Sequence, residues 1–566
     1  MEYTWWQKAV FYQIYPRSFA DGNGDGIGDL YGIIEKLDYL KALGINGLWL
    51  SPIYPSPLYD CGYDVAHYTD IAPEYGTLDD FRRFLDEAHK RDIRVILDLV
   101  LNHTSHEHPW FRASRISRDH PQRDWYIWRD PAPDGGPPNN WSSTFGGPAW
   151  EYDSVTGQYY YHFFLKEQPD LNWRNPEVKD AVFNEIRFWL DMDIDGFRLD
   201  AIDTIYEHPD MPDHEAEFTQ EELIKQSKTL RWETTNKALL AQWHKMFGYQ
   251  LRQPGIHKLF QELRSLIDEY DDRVLVGETS EVAFYGDGSN ELHLAFNFPL
   301  MRTERMTPAW IRKNQQARLS ALPPDAWPCN TLNNHDAPRV YSRYGDGEHD
   351  DALARLSLAL MLTLRGTPFL YNGEEIGMTD YLLDDIADFR DMLGMWHYHL
   401  QREYFEKSPE EALKTAAKIG RDKCRTPMQW DNAPHGGFCP ADVEPWLPVN
   451  PNYADGVNVA EQEGDPNSML NFYRRMIALR NATPALVVGE YEPLHEDAED
   501  YLAFLRRTEE QTCLVVLNYA DAHHTLTFDL ETQHARRIFS SRERPERTDL
   551  SAVPIAPFEI YIAELQ

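Results

Sequence analysis

Short apolar runs alternate with helix-period segments along most of this chain. Ala9–Tyr15, Gly47–Leu50, Arg94–Leu101, Gly196–Leu199, Val274–Gly277, Leu294–Phe298, Cys329–Leu332 and Pro368–Tyr371 read as strands. Several are continuous apolar runs, the signature of strands buried on both faces. Amphipathic helices lie between them. Leu30, Ile33, Ile34, Leu37, Leu40 and Leu43 make an i, i+3, i+4, i+7 stripe that Gly44 ends. Leu78–Arg91 and Pro176–Met192 repeat the pattern, entered from the capping residues Thr77 and Asn175. Eight strands in strand–helix alternation, with polar residues recurring just past the strand ends, predict an α/β fold: a (β/α)8 TIM barrel rather than an open sheet.

Two stretches break the alternation. From Thr104 to about Asp170 the chain is rich in Trp, Pro, Gly and Asp, with an aromatic patch at Tyr159–Phe164; it reads as an insertion after the third strand. A second polar stretch runs from about Gly377 to Pro448. After a long helix around Met469–Arg480, the period switches to two at Tyr501–Leu505, Cys513–Leu517, Leu526–Phe528 and Ile555–Ala563, predicting an antiparallel β domain. The expected organisation is a barrel over 1–103 and 171–480, an inserted domain over 104–170, a further insertion near 377–448, and a C-terminal β domain over 481–566. The charged run Glu221–Lys237 reads as a solvated lid or insertion flank.

Composition narrows the function. With 55 Lys+Arg against 92 Asp+Glu the formal charge of the 566 residues is −37. A field of that sign repels phosphate backbones and anionic lipid, so nucleic acid and membrane surfaces are excluded as general partners. Five cysteines without CxxC spacing suggest neither a disulfide framework nor zinc. No basic-then-apolar leader and no long apolar span is read, so a cytoplasmic protein is expected, monomeric or weakly homo-oligomeric.

The strand ends carry the chemistry. The third ends Asp98-Leu-Val-Leu-Asn102-His103, the fourth Gly196-Phe-Arg198-Leu-Asp200, the fifth Val276-Gly-Glu278, and the seventh Asn333-Asn-His335-Asp336. Residues i and i+2 of a strand share a face, so Arg198 and Asp200 point the same way and the guanidinium is expected to keep Asp200 ionised, as suits a nucleophile. Glu278, after an apolar run, is the acid candidate. Two carboxyls flanking a reacting centre are what glycosidic cleavage requires. Glu374-Glu375, after the eighth strand, reads as supporting rather than catalytic, and His106 and His108, near Trp110, read as a polar loop of the insertion rather than a metal cluster.

These runs resemble the four signature regions of the α-amylase family of glycoside hydrolases, family 13. Gln168-Pro-Asp-Leu-Asn172 resembles the fifth region as found in its oligo-1,6-glucosidase/α-glucosidase branch. Phe11-Tyr-Gln-Ile-Tyr-Pro-Arg-Ser-Phe19 and Gly420-Arg-Asp-Lys-Cys-Arg-Thr-Pro-Met-Gln-Trp430 resemble that branch too. The resemblance implies Asp200 as nucleophile, Glu278 as acid/base and Asp336 as transition-state stabiliser of a retaining double displacement. It implies Tyr63, Asp64, His103, Arg198, His335 and Arg421 as substrate-binding residues, with Asp64 and Arg421 closing the pocket on a non-reducing end. Ala201, after the nucleophile, matches the members that prefer α-1,4 substrates and often sucrose. The expected partner is therefore a small α-glucoside, cut by an exo-acting α-glucosidase with accompanying transglucosylation. A sucrose isomerase or trehalose synthase, or an oligo-1,6-glucosidase, uses the same carboxylates and stands as the alternative. A transporter-associated scaffold of this kind would carry a membrane span and lack those three acids.

Asp21-Gly-Asn-Gly-Asp-Gly-Ile-Gly-Asp29 is the metal signal. Side-chain oxygens of Asp21, Asn23, Asp25 and Asp29, with the Ile27 carbonyl, stand at positions 1, 3, 5, 9 and 7 of an EF-hand-like loop, but position 12 is Gly32 instead of Glu. It resembles the branch's single-cation loop. The high oxygen count favours structural calcium over magnesium, and no organic cofactor is expected.

Overall fold

The computed structural model describes residues 3–227 and 236–566. Its central sheet is parallel. Strands β1 (Phe11–Ile14), β2 (Gly47–Leu50) and β3 (Arg94–Val100) are followed by β4 (Trp128–Arg129), β5 (Trp150–Asp153) and β6 (Gln158–Tyr161) of the insertion, then by β7 (Gly196–Asp200), β8 (Val274–Gly277), β9 (Leu294–Ala295), β10 (Cys329–Thr331) and β11 (Thr367–Tyr371). The order β10-β11-β1-β2-β3-β7-β8-β9 closes on itself through a parallel bridge between Phe296 and Cys329. All eight expected strands are present, several shortened at their ends.

Burial explains the apolar runs. Every residue of β1, β2, β7, β8 and β11 is buried, between side chains inside the barrel and helices outside it. Gly196 opens β7 with φ +148, and a Cβ there would sit 2.0 Å from the Val274 carbonyl oxygen, so only glycine lets β7 and β8 approach in register. The Thr77 helix starts with a reciprocal capping box to Asp80, and Asn175 caps its helix through the Glu177 N–H. The Leu30–Leu43 stripe divides into Leu30–Glu35 and Leu37–Leu43, because Lys36 leaves helical geometry.

The insertion leaves β3 at His103 and returns at Asp170, the two bridged antiparallel. Its sheet, β4-β6-β5, shares a core with the helices Gln220–Ser227 and Lys237–Phe247: Trp141, Trp150, Tyr161 and Phe163 meet Leu223, Trp243 and Phe247. The run Glu221–Lys237 thus begins and ends on helices against the insertion, while 228–235 lie outside the described residues. The stretch 377–448 is built largely of short helices around Leu383, Phe389, Ala416, Ala417 and Leu447. The C-terminal antiparallel sheet begins at Glu490, after the helices Met469–Ala482 and Pro484–Val488. No helix among the described residues is long and apolar enough to cross a membrane.

Candidate active site

A cavity of about 390 Å³ opens where β3, β7, β8 and β10 end, roofed by the insertion and the 377–448 segment. Asp60, Tyr63, His103, Asp200, Glu278, Asp336 and Arg421 line it. Residues separated by up to 361 positions meet there because parallel strands deliver all their C-terminal ends to one face.

Arg198 organises the floor. Its Nη1 donates to Asp98 Oδ1 and Asp200 Oδ1, each at 2.7 Å, and its Nη2 reaches Glu278 Oε2 at 2.8 Å. The guanidinium is buried and lies 5.0 Å from the centre of the Trp49 ring. Ala201 takes a left-handed conformation, φ 43 and ψ 41, which turns its N–H onto Glu278 Oε2 at 2.8 Å. Arg198 points at Asp200 as the strand spacing predicts, but its one charge is divided among three carboxyls. Burial pushes the Asp200 carboxyl well above its usual range, Arg198 opposes that, and Glu278 and Asp98 reinforce it.

Asp336 lies in the opposite field. Arg425 Nη2 stands 2.5 Å from its Oδ1, His335 Nε2 3.3 Å and Arg421 Nη1 3.5 Å. Burial would raise its pKa, but these neighbours outweigh it and hold the carboxyl far below the usual range. His335 itself is kept neutral by burial. The Gln13 amide donates to its Nδ1 at 2.7 Å, leaving the proton on Nε2, which faces the Tyr63 hydroxyl at 2.7 Å. Tyr63 stacks on His335 at 5.3 Å, with the planes 5° apart, and its hydroxyl also reaches Asp98 Oδ2 at 3.1 Å. Burial lowers His103 to a pKa of about 4, so it too is neutral; its Nε2 stands 3.1 Å from the Tyr63 carbonyl oxygen and 3.0 Å from the Gln168 amide.

Arg421 closes the far end, though not with Asp64. Its Nη2 contacts Asp60 Oδ1 at 2.8 Å and Asp391 Oδ1 at 2.6 Å, and Nε also donates to Asp391. Asp64 is fully buried and turned away, accepting from the Ser56 hydroxyl and from the Tyr59 and Asp60 N–H groups. The reason is local: Cys61 and Gly62 carry φ of +51 and +111, so the loop turns between the two aspartates. Asp64 thereby braces the turn that presents Asp60 and Tyr63, and its burial raises its carboxyl to about 6.

Sequence reading missed Asp60, Asp98, Arg425 and Asp391. The first three lie inside or beside motifs already singled out. Asp391 sits in an unpatterned polar stretch and caps the helix Met392–His399, a role only the structure shows. Glu375 accepts from the Tyr12 and Tyr39 hydroxyls, outside the cavity lining. His108 caps a helix through the Trp110 N–H.

The Asp21–Asp29 loop folds onto its own amides. Asp21 accepts from the Gly24, Asp25 and Gly26 N–H groups, Asn23 from Asp25, and Asp25 from Ile27. Asp29 accepts from Gly22 and Asn23 and caps the next helix through Gly32. Among the described residues no group of three or more acids, histidines or cysteines is gathered to hold a metal ion. The oxygen donors suit a hard cation in kind.

Comparison with known proteins agrees with this architecture. The family model for the α-amylase catalytic domain matches residues 13–489, and that for the maltogenic amylase C-terminal domain matches 491–562. An oligo-1,6-glucosidase of Parageobacillus thermoglucosidasius is 39% identical, with both chains covered in full. A probable α-glucosidase of Rhizobium meliloti is 40% identical over 91% of this chain and 90% of that one. The crystal structure of a trehalulose synthase from Pseudomonas mesoacidophila superposes with a TM-score of 0.88 at 36% identity, covering 100% of each chain.

Proposed function

The chain belongs to the α-amylase family of glycoside hydrolases, and from that premise we propose a retaining, exo-acting α-glucosidase that releases glucose from the non-reducing end of short α-glucosides. The observation that carries this is the pairing of Asp200 and Glu278 on the two Nη atoms of one buried guanidinium. A shared fork supports the short carboxyl separation of retaining enzymes, about 5–5.5 Å, over the wider gap that an inverting enzyme keeps for a water.

Asp200 attacks the anomeric carbon while Glu278 protonates the departing oxygen. Water then displaces Asp200 from the glucosyl-enzyme, and Glu278 takes its proton. Asp336, pinned as a carboxylate by Arg425 and Arg421, binds glucose hydroxyls and favours the flattened ring. Tyr63, stacked on His335, offers a platform for the sugar; His103 lines the same pocket, and Arg198 and His335 lie buried beneath it, orienting the groups that do. The Arg421–Asp60–Asp391 cluster blocks the pocket end, so single terminal units enter rather than the middle of a polymer.

Ala201 supports α-1,4 over α-1,6 linkages by leaving space beside Glu278, with maltose-type substrates first and sucrose second. The alternative is an isomerase that returns the glucosyl unit to the departing sugar, and the trehalulose synthase likeness favours testing it. Incubation with maltose and with sucrose, followed by product resolution and assignment of the released anomer, decides. α-Glucose as the main product supports hydrolysis; isomaltulose, trehalulose or trehalose as the main product overturns it. Transglucosylation is proposed as a side activity.

Calcium is proposed as a structural ion at Asp21, Asn23, Asp25, Ile27 and Asp29, supported by the oxygen-only donor set. Cytoplasmic residence is supported by five unpaired, buried cysteines. A monomer or weak homo-oligomer is the proposed assembly.

A further inference from the structure

The helix Met392–His399 has two apolar faces set by its own period. Trp396 and the C-cap Leu400, four apart, pack into the core of the insertion. Met395 and Tyr398, three apart, pack into the core of the 377–448 segment. The helix therefore stands between the two pieces of chain that roof the glucose pocket.

Its N-terminus is locked to Arg421. The Asp391 carboxylate accepts the Arg421 backbone N–H at 2.6 Å, Nε at 2.9 Å and Nη2 at 2.6 Å. The exchange is reciprocal, because the Asp422 carboxylate accepts the Arg390 and Asp391 N–H groups at 2.9 and 3.0 Å. Two bare backbones meet beside this lock: a Cβ on Gly394 would stand 3.3 Å from the Gly420 Cα, and one on Gly420 would stand 3.2 Å from the Gly394 Cα. The other contact of the helix is the turn at Gly146. A Cβ there would lie 2.3 Å from Trp396 Nε1 and 2.4 Å from its Cε2, so the indole edge sits directly on the glycine backbone. The preceding residue, Phe145, lines the cavity, with its ring centre 5.7 Å from the Arg421 guanidinium. Trp396 does not itself line the cavity, yet one helix joins it to both groups that close the pocket end.

We propose that Trp396 is a positioning residue for the terminal glucose: seated on Gly146, it holds Phe145 against Arg421 and fixes the depth at which the blocked end stops a sugar. This rests on the glucosidase reading above. A packed interior relaxes only partly into a vacated volume, so loss of the indole leaves the Phe145 turn loosely held. Asp200 and Glu278 are held separately by Arg198. The loosening therefore acts on glucose binding before and during bond cleavage alike, and it appears in KM rather than in kcat.

The test compares maltose hydrolysis with inhibition by free glucose. Trp396→Ala is expected to raise KM for maltose and the inhibition constant of glucose together, about tenfold each, with kcat within about threefold of wild type. Trp396→Phe keeps a ring over Gly146 and returns both constants to within about threefold. Gly146→Ala reaches the same contact from the insertion and raises KM about threefold or more by itself. In the double variant with Trp396→Ala the combined factor falls about threefold or more short of the product, because the space for the new methyl is already vacant. Gly146 carries φ +94, so its substitution lowers stability in both backgrounds and only the KM factors are compared. Calorimetry identifies the folded variants. A folded Trp396→Ala protein with unmoved KM and glucose inhibition overturns the proposal, as do factors that simply multiply. If Trp396→Ala does not fold, an unmoved KM in folded Gly146→Ala overturns it instead. Failure of the wild-type protein to release glucose from maltose or 4-nitrophenyl α-glucoside overturns the glucosidase reading and is seen before any variant is made.

Discussion

Replacing Arg198 by lysine separates the charge at this position from the fork that distributes it. The guanidinium touches Asp98, Asp200 and Glu278 at 2.7, 2.7 and 2.8 Å in a buried setting. One ammonium cannot occupy two Nη positions, so the substitution keeps the charge and loses about two of the three contacts. At about 1.5–3 kcal/mol for each hydrogen bond to a charged group, the loss is about 3–6 kcal/mol. Some of it appears as lower stability. If about half falls on the chemical step, about 1.5–3 kcal/mol, kcat drops about 10- to 150-fold, since each 1.36 kcal/mol is a decade.

KM is expected to change less than about threefold, because Arg198 lies beneath the reacting carboxyls. The pH profile adds a second readout. Asp200 must be ionised to attack, so activity falls on the acid side as its carboxyl protonates. Burial already raises that carboxyl, and Arg198 is the neighbour that opposes the rise. Weakening the cation therefore moves the acid limb of kcat/KM to higher pH. Steady-state kinetics across pH, with calorimetry to verify folding, gives both numbers. A folded Arg198→Lys protein with kcat within about fivefold of wild type and an unmoved acid limb would refute the reasoning.

The remaining perturbations address single positions. Asp60→Asn removes one of the two carboxylates closing the pocket end and is expected to raise KM for maltose about tenfold. Asp64→Asn touches only the turn behind it and costs about 1–3 kcal/mol of unfolding free energy instead; if Asp64→Asn raised KM more, Asp64 would belong in the pocket after all. Ala201→Val narrows the space beside Glu278 and shifts the isomaltose-to-maltose ratio of kcat/KM at least tenfold towards isomaltose, at about 1 kcal/mol of strain from a β-branched residue at positive φ. An unchanged ratio removes Ala201 from the linkage argument. Chelation is expected to lower Tm by several degrees, with recovery on added calcium; an unaltered Tm would sink the calcium assignment at Asp21–Asp29.

The barrel was legible because burial on both faces imposes continuous apolar strands, and strands delivered in parallel place their following residues on one rim. Asp200, Glu278 and Asp336 could be found that way. The pocket's closure could not. Asp60 and Asp64 are both acidic and four apart, and only the turn at Cys61 and Gly62 decides which faces the cavity. Asp391 and Arg425 lie in a segment whose helices are short and amphipathic over few turns, so no period announces them. Asp29 has a second use that the loop's spacing does not announce: it precedes an apolar stripe and caps that helix through the Gly32 N–H. The helix Lys237–Phe247, whose first residue ends the charged run Glu221–Lys237, packs against the insertion, and packing of that kind is a long-range fact that no local period announces.

The distribution of charge also explains why so acidic a site works on neutral sugars. Six carboxyls, Asp60, Asp98, Asp200, Glu278, Asp336 and Asp391, surround three guanidiniums, Arg198, Arg421 and Arg425. A neutral glucoside gains little from that excess in the ground state. The oxocarbenium-like transition state carries positive charge on the ring, and a surplus of fixed carboxylates stabilises it selectively. Yet the surplus must be uneven. Asp336 is held ionised by two arginines, whereas Asp98 and Asp200 share a single one that Glu278 also contacts, so a proton enters Asp98 or Asp200 before Asp336. Catalysis needs Asp336 charged throughout, while Asp200 attacks as a carboxylate and Glu278 alone gives up and regains the proton. Arg425 and Arg198 set the difference, and both lie beneath the cavity, where substrate does not disturb them.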